Sequence, residues 1–180
     1  MNVCVFCGSN TGDDSLYADT AREAGRLIAE GGHTLIYGGG NIGLMGVIAD
    51  SALSHGGKVI GVIPDFLINR EVGHRGLTEL VIVQSMHERK KKMADLSNVF
   101  MALPGGWGTL DELAEILTWR QLGLIDQPIG LLNVGSFFSP LIAQMKTMVQ
   151  AGFLHPKNLN FLLVENSPSK LLTVLGVLTV

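Results

Sequence analysis

Apolar residues occur along this chain in short unbroken runs, and most runs are followed by a stretch with helical spacing. "VCVFC" (Val3 to Cys7) predicts a strand, and Asp13 to Ala29 predicts an amphipathic helix ending at Gly31-Gly32. "HTLIYGGG" predicts a second strand that runs into glycines, with a helix from Leu44 to Leu53. "KVIGVIP" is a third strand closed by Pro64, and "TELVIVQ" a fourth, followed by a helix from about Met86 to Leu96. "NVFMALPGG" precedes a helix from Thr109 to Leu122, and "PIGLLNV" precedes one from Ser136 to Gln150. "NFLLVE" gives a seventh strand, and Ser167 opens a last helix. Strands that are apolar throughout and separated by helices imply a parallel sheet covered on both faces. The expected fold is therefore α/β, a doubly wound parallel sheet with helices on both faces, in one domain spanning 1–180. In such sheets ligands sit beyond the carboxyl ends of the strands.

Composition narrows the partners. With 47% hydrophobic and 16% charged residues in 180, general disorder is excluded. A net charge of -3 leaves no footprint for a duplex, so no nucleic-acid partner is expected. "MNVCVFCGSN" lacks the basic region and cleavage pattern of a signal peptide, and no apolar stretch approaches the eighteen or so residues of a membrane helix. The expectation is a soluble cytoplasmic protein without membrane partners. Cys4 and Cys7 form C-V-F-C, but within a strand an offset of three puts them on opposite faces, and a redox pair normally opens a helix. They read as strand-end cysteines, and one pair is too little for zinc.

Three loops follow predicted strands and precede helices: "CGSN" (Cys7 to Asn10), "YGGGNIGLMG" (Tyr37 to Gly46) and "LPGGWGT" (Leu103 to Thr109). All should open on one edge of the sheet. Glycine there lets backbone N–H groups approach an anion, and the following helix dipole favours it. Three such loops together indicate a phosphate-bearing ligand. Gly38 to Gly43 fits the dinucleotide fingerprint with Asp65 downstream, but it follows the second strand instead of the first, so NAD(P) binding ranks second. Thr109-Leu110-Asp111-Glu112 before Leu113 matches a capping box, which would explain Glu112 without any chemistry. A carboxylate near a helix N-terminus is also held ionised, as a general base or a stabiliser of an oxocarbenium ion requires. Both readings stay open.

In "MHERKKKM", Met86, Arg89, Lys90 and Met93 share one helical stripe, while Lys91 and Lys92 point to solvent. A guanidinium among methionines on that stripe suits bidentate contact with phosphate or ribose hydroxyls. The long connection "PDFLINREVGHRGLT" (Pro64 to Thr78) is a candidate binding loop.

"MHERK" (Met86 to Lys90) followed by "PGGWGTLDE" (Pro104 to Glu112) resembles the LOG family of cytokinin riboside 5'-monophosphate phosphoribohydrolases. "CVFCGS" and "YGGGNIGLMG" resemble the same family, so the likeness spans nearly the whole chain. It implies a Rossmann-like homodimer that hydrolyses the N-glycosidic bond of an N6-modified adenosine 5'-monophosphate, with free base and ribose 5-phosphate as products. By motif position it implies Arg89 and Glu112 as the catalytic pair. Implied substrate contacts are Glu71, Arg89, Lys90, Gly106, Trp107, Gly108, Thr109, Leu110, Asp111, Glu112 and Thr118; a gap in the loop would replace Glu71 by Glu79. Trp107 stands where the plant motif has Tyr, and Asp111 where it has Glu. No metal or redox cofactor is implied. The older family label of lysine decarboxylase finds no support here, since no lysine stands out as a Schiff-base site. The rival class is a non-catalytic nucleotide carrier or sensor, which would have little use for an acid facing a phosphate.

Overall fold

The apolar runs pair as a parallel sheet. The structure, a computed structural model, describes residues 1–68 and 73–179. Seven strands, β1 (Asn2–Phe6), β2 (Thr34–Tyr37), β3 (Lys58–Pro64), β4 (Glu79–Val83), β5 (Val99–Ala102), β6 (Ile129–Leu132) and β7 (Leu162–Glu165), form one sheet. Their order is β4-β3-β2-β1-β5-β6-β7, and every neighbouring pair is parallel. The helices are α1 (Ser15–Glu30), α2 (Gly43–Ser54), α3 (Met86–Leu96), α4 (Trp107–Gln121), α5 (Ser139–Gln150), α6 (Pro156–Leu159) and α7 (Pro168–Val174).

Alternation along β1 feeds two cores, one per face. Val3, Val5 and Cys7 pack with Ile28 of α1 and Ile48 of α2. Cys4 and Phe6 pack with Met93 of α3 and Leu113 of α4. The two cysteines therefore lie on opposite faces, as their spacing predicts. Side chains as fully buried as Ile28 and Phe100 each stabilise the fold by about 1.5–3 kcal/mol through burial.

Beyond β6, two features differ from expectation. α5 starts at Ser139, because the chain first makes a short 3-10 turn at Val134–Ser136 with Ser136 left-handed at φ 61°. The four-residue α6 lies ahead of β7, too short to show a helical period. Elsewhere the local logic is regular. α1, α2 and α4 run out through left-handed glycines, Gly32, Gly56 and Gly123, at φ 71°, 73° and 71°.

The chain lays β1 to β4 outward in one direction, then returns to the other side of β1 for β5. That reversal sends the helices after β1 and β5 to opposite faces of the sheet and makes the crevice above the two strand ends the expected ligand position.

Candidate active site

At the reversal the two strand ends are tied together. Leu103 N–H donates to Phe6 O at 2.9 Å, and Gly8 N–H donates to Pro104 O at 3.1 Å. A Cβ on Gly8 would lie 3.3 Å from the Gly105 Cα, so the loops touch main chain to main chain. Over this junction lies a cavity of about 390 Å³, within the size range of small-molecule sites.

The three glycine loops reach the cavity unequally. Gly8 and Gly105 to Gly108 border it directly. In the loop after β2, Gly38 is the one glycine on the cavity wall among the described residues. The glycines that follow it pack against the chain itself. Gly43 lies against the Ser9 and Asn10 backbone, and Gly46 against the Asn41 carbonyl. Close packing explains those glycines, and the fingerprint there is geometry within the chain. Asp65, the acid that fingerprint would need, is exposed on the turn after β3 and does not line the cavity.

α4 corrects the capping-box reading. The helix starts at Trp107, two residues before the predicted start, with Gly106 as N-cap and no side chain capping it. The first intrahelical bond runs from Leu110 N–H to Gly106 O at 3.2 Å. Trp107, Gly108 and Thr109 thus have amides with no intrahelical acceptor, at the positive end of the helix dipole. Thr109 is buried beneath this end, where a Cβ on Gly105 would collide with its side chain. At Gly106 and Gly108, by contrast, an added Cβ would meet nothing within 4 Å. Packing explains Gly105, whereas Gly106 and Gly108 face open space at an anion-binding helix end.

Arg89 arrives from α3, whose start is fixed by Ser85: its hydroxyl accepts Glu88 N–H at 3.2 Å, and the Glu88 carboxylate accepts Gln84 N–H at 2.7 Å. One residue further on, Arg89 turns inward and is 5% exposed. Its Nε donates to Val62 O at 3.2 Å and its Nη2 to Gly38 O at 2.8 Å, which fixes the guanidinium plane on the cavity wall. Glu112, half-buried on α4, lines the same cavity. The buried thiols report on both groups. Burial pushes Cys4 and Cys7 far above the ordinary thiol range, Glu112 adds to that rise and Arg89 opposes it. Groups of opposite charge thus both lie near β1, on the wall of one cavity.

The remaining residues divide. Trp107 stands 89% exposed at the cavity mouth. Lys90 is not on the wall; its ammonium bridges Asp111 at 3.1 Å and Glu115 at 3.2 Å, tying α3 to α4. Burial lowers the Lys90 pKa, but the hydrogen bonds and charges of the two carboxylates outweigh it and the net shift is upward. Leu110 packs half-buried on the α3–α4 side of the sheet. Thr118 is exposed further along α4, its hydroxyl donating to Ala114 O at 2.8 Å. Glu71 lies outside the described residues, and Glu79 is exposed at the start of β4.

The structure also brings in residues that motif reading passed over. Tyr17 of α1 and Phe137, in the connection after β6, meet edge to face at 5.6 Å and wall one end of the cavity. The faint signal for Phe137 is an aromatic just beyond the end of a strand, where a core residue is not required.

Known proteins resemble this chain in sequence and in fold. The family model described as "Possible lysine decarboxylase" matches residues 45–175. The Arabidopsis thaliana protein named cytokinin riboside 5'-monophosphate phosphoribohydrolase is 46% identical over 154 residues, covering 86% of this chain and 72% of its own length. A protein of Oryza sativa subsp. japonica, named a probable enzyme of that type, is 42% identical over 170 residues, covering 94% of this chain and 70% of its own. Among solved structures, the molybdenum cofactor binding protein of Rippkaea orientalis superposes with a TM-score of 0.73 at 21% identity, over 97% of this chain and 94% of that one. The molybdenum cofactor carrier protein of Chlamydomonas reinhardtii gives 0.71 at 23% identity, over 98% and 96%. Those two establish the Rossmann-like fold alone. Sequence identity over most of the chain, with the paired Arg89 and Glu112 motifs set on one cavity, makes this protein a member of the LOG family of phosphoribohydrolases.

Proposed function

We propose that the chain acts as one nucleotide-binding domain that hydrolyses the N-glycosidic bond of adenosine 5'-monophosphates, N6-modified ones included, releasing free base and ribose 5-phosphate. The observation that carries this reading is the pairing of an uncapped α4 N-terminus with Glu112 and Arg89 on the wall of one cavity. The 5'-phosphate rests on the amides of Gly106 to Thr109, where the helix dipole favours an anion. The ribose then lies toward Glu112. As the C1'–N bond breaks, its electron pair leaves with the base and positive charge grows on the sugar ring. The Glu112 carboxylate stabilises that charge and takes a proton from the water that attacks C1'; the departing base takes up a proton in turn, and loss of the proton from Glu112 restores the carboxylate. Arg89, held by two carbonyls, orients the ribose or phosphate and the carboxylate. Trp107, Leu110, Asp111, Lys90, Thr118 and the Glu71 loop complete the assignment by motif position. The proposal includes a homodimer; Trp107 at the start of α4 and Leu122 and Leu124 beyond its end are large exposed apolar side chains that a second copy would cover.

Glu112→Gln removes the charge and keeps the shape. Base release from isopentenyladenosine monophosphate should fall about 10²–10⁴-fold, with binding retained. Full activity in that variant would refute the role. The wild-type protein should release base from that monophosphate and from adenosine monophosphate, and not from the unphosphorylated riboside. Tight binding without turnover would identify a carrier instead.

A further inference from the structure

We infer that His74 is a positioning residue for Arg89, clasped to Asp50 of α2 and acting through the glycine loop after β2. The inference rests on the reading that Arg89 serves the reaction.

His74 is 7% exposed, yet it belongs to neither apolar core. Its Nδ1 accepts Gly76 N–H at 3.1 Å, so that nitrogen carries no proton. The ring proton is therefore on Nε2, which donates to Asp50 Oδ1 at 2.9 Å. The main chain beside it is fastened to the glycine loop. His74 N–H donates to Gly39 O at 3.0 Å, and Gly73 forms an antiparallel bridge with Gly40. Gly73 N–H donates back to Ile68 O at 2.9 Å. Side chain and main chain together pin residues 39–40 between α2 and the connection after β3.

The next residue carries the consequence. Gly38 O accepts Arg89 Nη2 at 2.8 Å, and a Cβ on Gly38 would stand where the guanidinium lies. On the other side, Gly39 rests on β3 so closely that a Cβ at Gly61 would come within 2.7 Å of its Cα. The Gly38 carbonyl therefore has its direction set by a segment held on both sides. A displacement of Gly39 moves the acceptor that orients Arg89. A carboxylate as exposed as Asp50, 69% on its side chain, contributes little to global stability, so the effect of the clasp is orientation.

His74→Ala, His74→Gln and Asp50→Ala test this. Glutamine keeps an N–H that can reach Asp50. Steady-state base release, thermal melting and amide hydrogen exchange over residues 37–43 are measured for each. His74→Ala should lower kcat by up to about 10²-fold with KM changed far less, because misplacement affects the reacting geometry. Asp50→Ala should do the same in a protein that melts normally, and His74→Gln should recover most of kcat. Exchange at 37–43 should quicken in both alanine variants. Wild-type kcat in His74→Ala, equal losses in the alanine and glutamine variants, or unchanged exchange at 37–43 would each overturn the clasp. Absence of base release from the wild type would refute the enzymatic reading instead, and the exchange experiment would still decide the clasp.

Discussion

Glycine in this chain has two different causes, and single substitutions separate them. A Cβ on Gly105 collides with Thr109 and comes within 2.8 Å of Gly8 N, so Gly105→Ala should destabilise the fold by about 1–3 kcal/mol as well as impair turnover. Gly106→Ala meets no protein atom within 4 Å and should leave stability within about 0.5 kcal/mol of wild type. Its Cβ projects at the helix end assigned to phosphate, so KM for the monophosphate should rise. Chemical denaturation alongside steady-state kinetics distinguishes the two, and an unchanged KM in Gly106→Ala would remove phosphate from that position. In the sequence alone, the triplet Gly105, Gly106 and Gly108 reads as one device. Sequence shows that glycine is demanded; only coordinates show whether the demand comes from a neighbour or from empty space.

At the scale of elements, the capping-box motif misleads for a physical reason. Thr109 to Glu112 satisfies the capping-box spacing, but α4 begins at Trp107 and no side chain caps it. The pattern S-x-x-E at Ser85 to Glu88 does cap α3, in a variant where Glu88 reaches Gln84 N–H. A four-residue spacing cannot tell a helix start from a helix already under way. The strands were legible because burial on both sheet faces leaves unbroken apolar runs, and the stripe holding Arg89 because packing a helix on the sheet imposes the helical period. Lys90 was legible as a neighbour of Arg89, but its link to Asp111 and Glu115 joins two helices and leaves no local trace. That link has a pH signature. The folded-state pKa of Lys90 is raised above its ordinary 10.5, so its stabilisation is fully present below that value and is lost as pH climbs through the raised one. Wild-type stability should therefore decline in strongly alkaline solution. Lys90→Met should be less stable by about 1 kcal/mol at neutral pH and lack that part of the alkaline decline, as denaturant melts across the range would record.

For the molecule as a whole, the single reversal of strand order decides where chemistry can occur. The parallel alternation predicted the layers and the functional edge, but strand order was beyond it, and with it the fact that the loops after β1 and β5 meet. The aromatic wall of Tyr17 and Phe137 depends on that order too, since it joins the helix after β1 to the connection after β6, far apart in sequence. Assembly is the property at this scale that remains a proposal. Sedimentation velocity should give a species of twice the chain mass, and charged substitutions at Leu122 and Leu124 should shift it toward the monomer. A monomer at all concentrations would refute the dimer.

The left-handed exits of α1, α2 and α4 carry one more implication. They lie at the sheet edge opposite the cavity, and an added Cβ at Gly32, Gly56 or Gly123 would find no atom within 4 Å. The tips at Gly32 and Gly56, away from the Leu122 and Leu124 face given to a second copy, are where a fluorophore, an affinity tag or an inserted peptide can be grafted while the cavity rim stays undisturbed.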